Sequence, residues 1–251
     1  MLRNASNRTI AAAAALLFVV PALLSQSANP DIKPGSADLT GVWMIDRFQP
    51  ALFPKGTTPP FTPWAEAKFK TADTKVNDPN LACLPHGIPR LMFVPLPMEI
   101  LQVPDKVLIY QEAGNQLRQI HLNRAHLKDP DPTYNGDSVG KWEGNTLVVD
   151  TVGFNDTTWL DHVGLPHTDA LHVVERIHRV DANTLQDDFM IEDPKAYTKP
   201  WTASQKYTLK PGWEIAEYTC DNNKYVYHEK VAQRKASVPL TSPRQSPSRG
   251  R

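Results

Sequence analysis

Short runs of alternating apolar and polar residues follow one another from residue 98 onward, separated by turn residues at close intervals. An alternation with a period of two is typical of β-strands that bury one face. No alternation of strands with long amphipathic helices is visible. The pattern predicts an all-β protein of about ten strands, at 39–47, 98–103, 106–112, 116–122, 138–143, 146–150, 171–180, 184–191, 201–209 and 213–219.

Four of the intervals between these runs contain the residues of tight turns, namely Gly114-Asn115, Gly144-Asn145, Asp181–Asn183 and Lys210–Gly212. Glycine and asparagine accept the positive φ that such hairpins require. Successive hairpins form an antiparallel meander, and a meander removes its exposed edges by closing into a barrel. We therefore expect a lipocalin-like barrel, with a two-sheet β-sandwich as the alternative, since strand number alone does not separate the two.

A proline-rich stretch at 49–64 interrupts the pattern after the first strand, with Pro50, Pro54, Pro59, Pro60 and Pro63. This density is incompatible with a helix or a central strand. The stretch and the short amphipathic patch at 64–70 are predicted to cross the surface or to close one end of the fold.

The hairpin turns predict a register, and the register predicts which side chains share a face. A two-residue loop at 114–115 places Ile109 opposite Ile120, and a three-residue loop at 210–212 places Tyr207 opposite Ile215. In these registers polar residues fall among the apolar ones: Arg118 (opposite Gln111), Glu175, Asp187, Gln205 and Glu217 (opposite Gln205). Buried charges must be paired or hydrogen-bonded. These polar residues are therefore expected to form either a buried ion-pair network, together with Arg179, or the polar floor of a ligand cavity.

The first 28 residues have the composition of a secretory signal peptide. Arg3 and Arg8 precede an apolar stretch at 10–24, which is followed by small and polar residues at 25–28. The stretch is shorter than the ~20 residues that span a bilayer. We expect a periplasmic or secreted protein without membrane insertion after cleavage, an uncleaved anchor being the alternative. The mature chain is then one β-barrel domain at 29–234 and a disordered basic tail at 235–251.

The net charge and the number of cysteines indicate which classes of partner and which redox environment to expect. Lys+Arg and Asp+Glu each number 27, so no net charge attracts the chain to nucleic acid or to anionic membranes. Cys83 and Cys220 are the two cysteines of an exported chain, and they are predicted to form a disulfide. Metal ligation by the two thiols is the alternative.

Histidines and carboxylates are densest between 156 and 178, where His162, His167, His172 and His178 alternate with Asp156, Asp161, Asp169 and Glu175. A carboxylate beside an imidazole orients it and raises its pKa, as acid/base catalysis requires. We predict His167 as catalytic acid or base, Asp169 or Glu175 as its partner, and His172, Arg118, Gln205 and Glu217 as substrate-binding residues.

Other chemistries are open at this stretch. His167, Asp169 and His172 could bind a divalent metal, but their spacing is not a zinc signature. Ser138 and Ser204 lie in no nucleophile-elbow motif. The histidines and aspartates could also simply cap turns in a solvated loop. The prediction therefore includes no metal and no cofactor.

Two longer runs resemble a family of uncharacterised exported bacterial proteins. They are the twelve residues from Gly140 to Thr151 and the seven from Pro166 to His172. The likeness extends from about Cys83 to Cys220 and implies no particular activity. The shorter run from Leu39 to Trp43 looks like the opening strand of lipocalin-like barrels, which implies small-molecule binding.

Together these observations predict an exported enzyme that uses side-chain acid/base chemistry on a small organic molecule in a barrel cavity. Lyase, isomerase and hydrolase activities are all compatible with the residues. The alternative is a non-catalytic, lipocalin-like carrier of an apolar small molecule in the same cavity.

Overall fold

The structure is a computed structural model, and it describes residues 38–220. The predicted signal peptide and the predicted basic tail lie outside the described residues. Within 38–220, no helix has the length and the hydrophobicity that crossing a membrane requires.

Nine strands close into a barrel in the described part of the chain. Each strand pairs with its neighbour in sequence, and β1 also pairs with β9, which closes the ring. The strands are β1 Gly41–Ile45, β2 Met98–Val103, β3 Lys106–Gln111, β4 Gln116–His121, β5 Asp137–Glu143, β6 Thr146–Val152, β7 His172–Arg179, β8 Thr184–Glu192 and β9 Trp201–Leu209. The predicted lipocalin-like barrel is confirmed, with nine strands rather than ten.

The tenth predicted strand, at 213–219, does not form. Trp43 of β1 pairs with Leu209 of β9, and the Lys210 amide donates to the Val42 carbonyl at 2.8 Å. The free edge of β9, which a tenth strand needs, is therefore already used to close the barrel. The predicted pairing of Gln205 with Glu217 is wrong for this reason.

The hairpin registers are confirmed at the turns after β5 and β7, where Trp142 lies opposite Leu147 and Glu175 opposite Phe189. The β3–β4 register is wrong, because residues 112–115 form a four-residue loop that contains the 3-10 turn Ala113–Asn115. Arg118 thus lies opposite Ile109 instead of Gln111. A shift of two residues keeps every side chain on its predicted face, so Arg118 still points inward.

The interior of the barrel is filled by the inward-facing residues of all nine strands. In β8, for example, every second residue from Leu185 to Ile191 is buried. Apolar side chains dominate this core: Trp43, Met98, Ile100, Val107, Ile109, Ile120, Leu147, Val149, Val173, Ile177, Leu185, Phe189, Ile191 and Tyr207. Their removal from water supplies the main favourable free energy of folding.

The pairing between β4 and β5 is the weakest part of the ring. These two strands are parallel, and only Ile120 with Ser138 and His121 with Val139 are paired. Residues 122–136 connect the two strands, and an opening, here called the seam groove, lies between this connection and β4. The other adjacent strands are antiparallel.

The proline-rich stretch leads into one short helix, α1 Pro63–Lys70. The Thr62 hydroxyl caps the helix by accepting from the Ala65 amide, and a proline at the first position suits a helix start. Phe61 and Phe69 pack against each other, and Phe61 stacks on Tyr197. The stretch is thus fixed against the segment that connects β8 to β9.

Two further 3-10 turns, Pro79–Ala82 and Arg90–Phe93, precede β2. Cys83 follows the first of them and is bonded to Cys220, with the two Cα atoms 5.7 Å apart. The predicted disulfide is confirmed. It joins the segment before β2 to the segment after β9.

Candidate functional site

A groove on the outer face of the barrel is the first element of the candidate site. It has a volume of about 680 Å³ and lies between the outward faces of β7, β8 and β9 and the proline-rich segment. We call it the outer groove. Its walls are formed by Gln49, Leu52, Phe53, Pro54, Val174, Arg176, Asp188, Phe189, Met190, Thr202, Ala203 and Ser204.

The strand alternation arranges the floor of the outer groove in two rows. Val174, Met190 and Thr202 lie side by side on the three strands, and Arg176, Asp188 and Ser204 form the next row. One row is thus mainly apolar and the other polar. A site of this volume with mixed lining suits a small organic molecule.

A chain of imidazoles and carboxylates lies near the outer groove, although none of its residues is part of the groove lining. His172 donates from Nε2 to Oδ1 of Asp150 at 3.0 Å, and His126 donates from Nε2 to the same oxygen at 3.1 Å. The Nδ1 atom of His126 contacts Asp137 Oδ2 at 2.9 Å, and Nδ1 of His172 lies 3.6 Å from Glu192 Oε2. We call these five residues the imidazole–carboxylate chain.

The β-sheet register determines where this chain lies. Asp150 on β6 is directly opposite Val174, which lines the outer groove. His172 precedes Val174 by two residues on the same face of β7, a distance of about 7 Å along a strand. The imidazole of His172 is therefore next to the apolar row of the outer groove.

The two histidines in the chain differ in what their second nitrogen contacts. Both nitrogens of His126 are within hydrogen-bond distance of carboxylate oxygens, which can only accept. In His172 only Nε2 makes such a bond within the part of the chain that the structure describes, because 3.6 Å to Glu192 is too long for one. Its Nδ1 is thus available to exchange a proton, while Asp150 orients the ring.

Asp137 anchors the other end of the imidazole–carboxylate chain. Burial opposes its ionisation, but hydrogen bonds from Arg124 and His126 outweigh burial and lower the pKa of Asp137 to about 2. Asp137 is consequently a carboxylate over the whole physiological range and holds His126 in a fixed orientation.

Inside the barrel, the predicted polar residues form a bonded cluster. Arg118 donates to both oxygens of Glu175, with Nη1 2.8 Å from Oε1. Its Nη2 also donates to Ser138 Oγ and Thr151 Oγ1, each at 3.2 Å. Arg118, Glu175 and Asp187 are all within 2% of complete burial. Of the two sequence-based alternatives, this arrangement matches the buried ion-pair network.

Burial and the neighbouring charges act on the pKa values of this interior cluster. Burial opposes the charge of Arg118, but the neighbouring Glu175 raises the pKa of Arg118 above its ordinary value. Burial, and then the negative charge of Glu175, raise the pKa of Asp187 well above its usual range. The raised pKa favours the protonated form of Asp187 beside the ion pair of Arg118 with Glu175.

The remaining predicted interior residues have different positions. Gln205 is buried, and its Nε2 donates to the carbonyls of Arg47 and Lys206. Glu217 is exposed and lies beyond the barrel strands. Arg179 donates to the carbonyls of Asp38, Thr40 and Ala182, and its guanidinium stacks on Trp43, so it does not join the Arg118 cluster.

His167 is not brought together with either of its predicted partners. It is buried, its Nδ1 donates to the Thr168 carbonyl at 3.1 Å, and its Nε2 accepts from the Thr158 hydroxyl at 2.9 Å. Burial lowers the pKa of His167. Asp169 is exposed and bonded to Lys195, while Glu175 is bonded to Arg118. Both nitrogens of His167 are thus already used to fix the loop before β7.

His162 belongs to a second buried group, with His86 and Arg90. Arg90 forms a bidentate ion pair with Asp78, and its Nη2 lies 3.4 Å from Nδ1 of His162. Burial, and then the positive charge of Arg90, lower the pKa of His162 and the pKa of His86 to about 4 each. Both imidazoles are therefore neutral in the folded protein at pH 5.

The low pKa values of these two histidines predict that the protein loses stability in mild acid. The unfolded chain takes up protons below about pH 6.5, whereas the folded chain does so only near pH 4. Their contribution is therefore fully present above pH 6.5 and is lost as the pH falls to 4. Urea denaturation should show the free energy of unfolding roughly 5 kcal/mol lower at pH 4.5 than at pH 7, about half from each histidine.

The double variant His86→Gln/His162→Gln should lose most of this pH dependence. His178→Gln, a histidine on the outward face of β7, is the matched control and should keep it. An unchanged pH dependence in the double variant would contradict the assignment.

No group of three or more His, Cys, Asp or Glu side chains within residues 38–220 is arranged to hold a metal ion. His167, Asp169 and His172, the set considered from the sequence, make the separate contacts described above.

The chain matches no protein-family model, and no curated protein is significantly similar to it in sequence. The predicted resemblance to a family of exported bacterial proteins therefore stays a prediction. What the fold and the disulfide define is a class: a closed, lipocalin-like β-barrel protein with one disulfide bond.

Sequence reasoning missed His126, Asp137, Asp150 and Glu192. Asp150 and His172 were each placed in the correct strand, and their alternation already put them on the outer face. Their contact depends on the register between β6 and β7, and the long connection between these strands carries no tight turn that would predict it. His126 lies in the loop between β4 and β5, where no periodic pattern marks its position.

Proposed function

We propose that this protein is an exported enzyme that moves a proton on a small organic molecule held in the outer groove. The main support for this proposal is the hydrogen bond between His172 and Asp150 near that groove. It leaves Nδ1 of His172 available to accept a proton. In this proposal His172 is the general base, Asp150 orients it and stabilises its protonated form, and His126 holds Asp150.

The reaction class follows from what these residues can do by themselves. His172 takes a proton from the substrate at Nδ1, and the resulting imidazolium returns it at another position of the same molecule. Such an isomerisation balances without any oxidant, reductant or second substrate. Return of the proton to a leaving group instead makes the same step an elimination, so isomerase and lyase activities share it.

The lining of the outer groove suits a substrate that has both an apolar part and a polar part. Val174 and Met190 form the apolar row of the floor, and Phe53 covers it from the proline-rich segment. Among residues 38–220, Asp188 in the polar row accepts a side-chain hydrogen bond only from Gln186, at 2.8 Å, so a substrate hydroxyl or amine finds an acceptor there. This arrangement replaces the interior cavity expected from the sequence.

Export is part of the proposal. The disulfide is compatible with an oxidising compartment, where such bonds persist and nucleotide cofactors are scarce.

Proton transfer can be tested without knowing the substrate. Pools of small metabolites are incubated with the protein in D₂O, and mass spectrometry detects compounds that gain deuterium. We expect at least one compound to exchange, and His172→Gln to lower its rate about 100-fold, the typical contribution of a general base. His178→Gln, on the same face of β7, is the matched control and should keep the wild-type rate.

Two results would contradict the enzymatic proposal: exchange in no pool, or an exchange rate that His172→Gln leaves unchanged. The apolar row of the outer groove favours a second candidate, a carrier of an apolar small molecule. A compound that binds wild type and His172→Gln with equal affinity, without exchange, would identify the protein as that carrier.

A further inference from the structure

The seam groove between β4 and β5 is a second groove. Its lining includes Asp137, the end of the imidazole–carboxylate chain, but not His172, Asp150 or His126. Its volume is about 460 Å³. It exists because β4 and β5 share only two paired positions, so that the strand edge at 116–119 has no neighbouring strand on that side. The lining residues are Pro85, Gln116, Leu117, Arg118, Gln119, His121, Thr133, Tyr134, Asn135, Gly136, Asp137 and Ser138.

Most of this lining is polar, and its arginine and its aspartate are each paired within residues 38–220. Asp137 is paired with Arg124 and His126, and Arg118 is paired with Glu175. Pro85 and Leu117 are the aliphatic exceptions. Neither a strongly charged nor a purely apolar ligand suits such a surface, because each would lose hydration without gaining a matching partner.

Three residues of the seam groove contain a buried polar atom that has no hydrogen-bond partner in the described structure: Gln116 Oε1, Arg118 Nε and Asn135 Oδ1. An unpaired buried polar atom costs about 1–3 kcal/mol. The Gln116 amide nitrogen is held near His86 Nδ1 and by the Ala113 carbonyl, which leaves its oxygen as the free acceptor. Gln116 and Asn135 are only half-buried, so small rotations of their amides can turn the oxygens toward a ligand.

We propose that the seam groove binds a neutral, polyhydroxylated small molecule such as a mono- or disaccharide. Hydroxyl groups donate to the amide oxygens of Gln116 and Asn135 and accept from neighbouring donors, and each hydroxyl can do both. Tyr134 supplies an aromatic face against which the C–H face of a sugar ring can pack. The volume is within the range of small-molecule sites.

The test is saturation-transfer NMR and calorimetry on the disulfide-bonded protein with glucose, mannose, maltose, trehalose and glycerol. We expect at least one sugar to bind and to shift amide resonances within residues 133–138. Asn135→Ala and Gln116→Ala should each weaken binding about tenfold, the loss expected for one hydrogen bond. Gln49→Ala, which removes an amide from the outer groove, is the matched control and should leave sugar binding unchanged.

Charged sugar analogues test whether the seam groove prefers neutral ligands. Glucuronate and glucosamine should bind more weakly than glucose because the groove offers neither a free cation nor a free anion. The proposal is overturned if none of the five neutral compounds binds, or if both amide variants bind as tightly as wild type while retaining the wild-type circular dichroism spectrum. Shifts confined to the outer groove would also overturn it.

Discussion

Replacement of Arg118 by methionine is expected to lower the free energy of unfolding by about 3–5 kcal/mol. The guanidinium is the cation of the interior cluster and bonds to Glu175, Ser138 and Thr151. Without it, the fully buried Glu175 has lost its ion-pair partner, and Asp187 lies beside it. Urea denaturation followed by tryptophan fluorescence measures the loss directly.

The matched control for this variant is Arg176→Met. Arg176 also lies on a barrel strand and is ion-paired, with Glu143 at 3.1 Å, but the pair is on the surface. Exposed pairs contribute about 0–1 kcal/mol, so this change should be small. The double variant Arg118→Met/Glu175→Gln should recover part of the stability, because the unpaired charge is gone. A loss below 1 kcal/mol in Arg118→Met would show that the cluster is not the buried ion pair described here.

Removal of the disulfide by Cys83→Ala/Cys220→Ala is expected to destabilise the protein by up to about 5 kcal/mol. The bond closes a loop of 137 residues that contains eight of the nine strands. Breaking it increases the conformational entropy of the unfolded chain, which is the larger effect for long loops. The segment at 213–220 forms no strand, and it depends on few other contacts, such as the Asn115 Nδ2 bond to the Tyr218 carbonyl at 2.6 Å.

Urea denaturation of the oxidised protein, the reduced protein and the double variant provides the comparison. The reduced protein and the double variant should have similar midpoints, well below that of the oxidised protein. Dithiothreitol should leave the midpoint of the double variant unchanged, which shows that the reductant acts only through this bond. Equal midpoints for oxidised and reduced protein would contradict the prediction.

The strand predictions show which features of the fold a local sequence pattern can predict. The bounds of β2 and β9 were predicted to the residue, and those of β6, β7 and β8 to within two residues, because alternation and turn residues are local properties. The β3–β4 register failed because the turn is two residues longer than the pair Gly114-Asn115 suggests. The tenth strand failed because no local signal reveals that β9 is already paired with β1.

In the candidate site, too, the sequence predicted which face a side chain lies on but not which residues contact each other. Arg118, Glu175, Asp187 and Gln205 were predicted to face inward, and all four do so. His167 was singled out for its neighbours in sequence, whereas in the fold its nitrogens bond to Thr158 and Thr168. His172 was predicted to bind substrate, but its partner Asp150 comes from the adjacent strand, and His126 comes from a loop without periodicity.

The sequence by itself determined the all-β class, the face of each strand and the residues that form the disulfide, since period-two alternation, turn chemistry and cysteine number are readable along the chain. Only the tertiary structure decided that β1 pairs with β9 to close the barrel, that the β4–β5 seam is weak and that two histidines contact one aspartate. The physical reason is that these features join residues far apart in sequence, and their energies depend on which strand edges and charges come together.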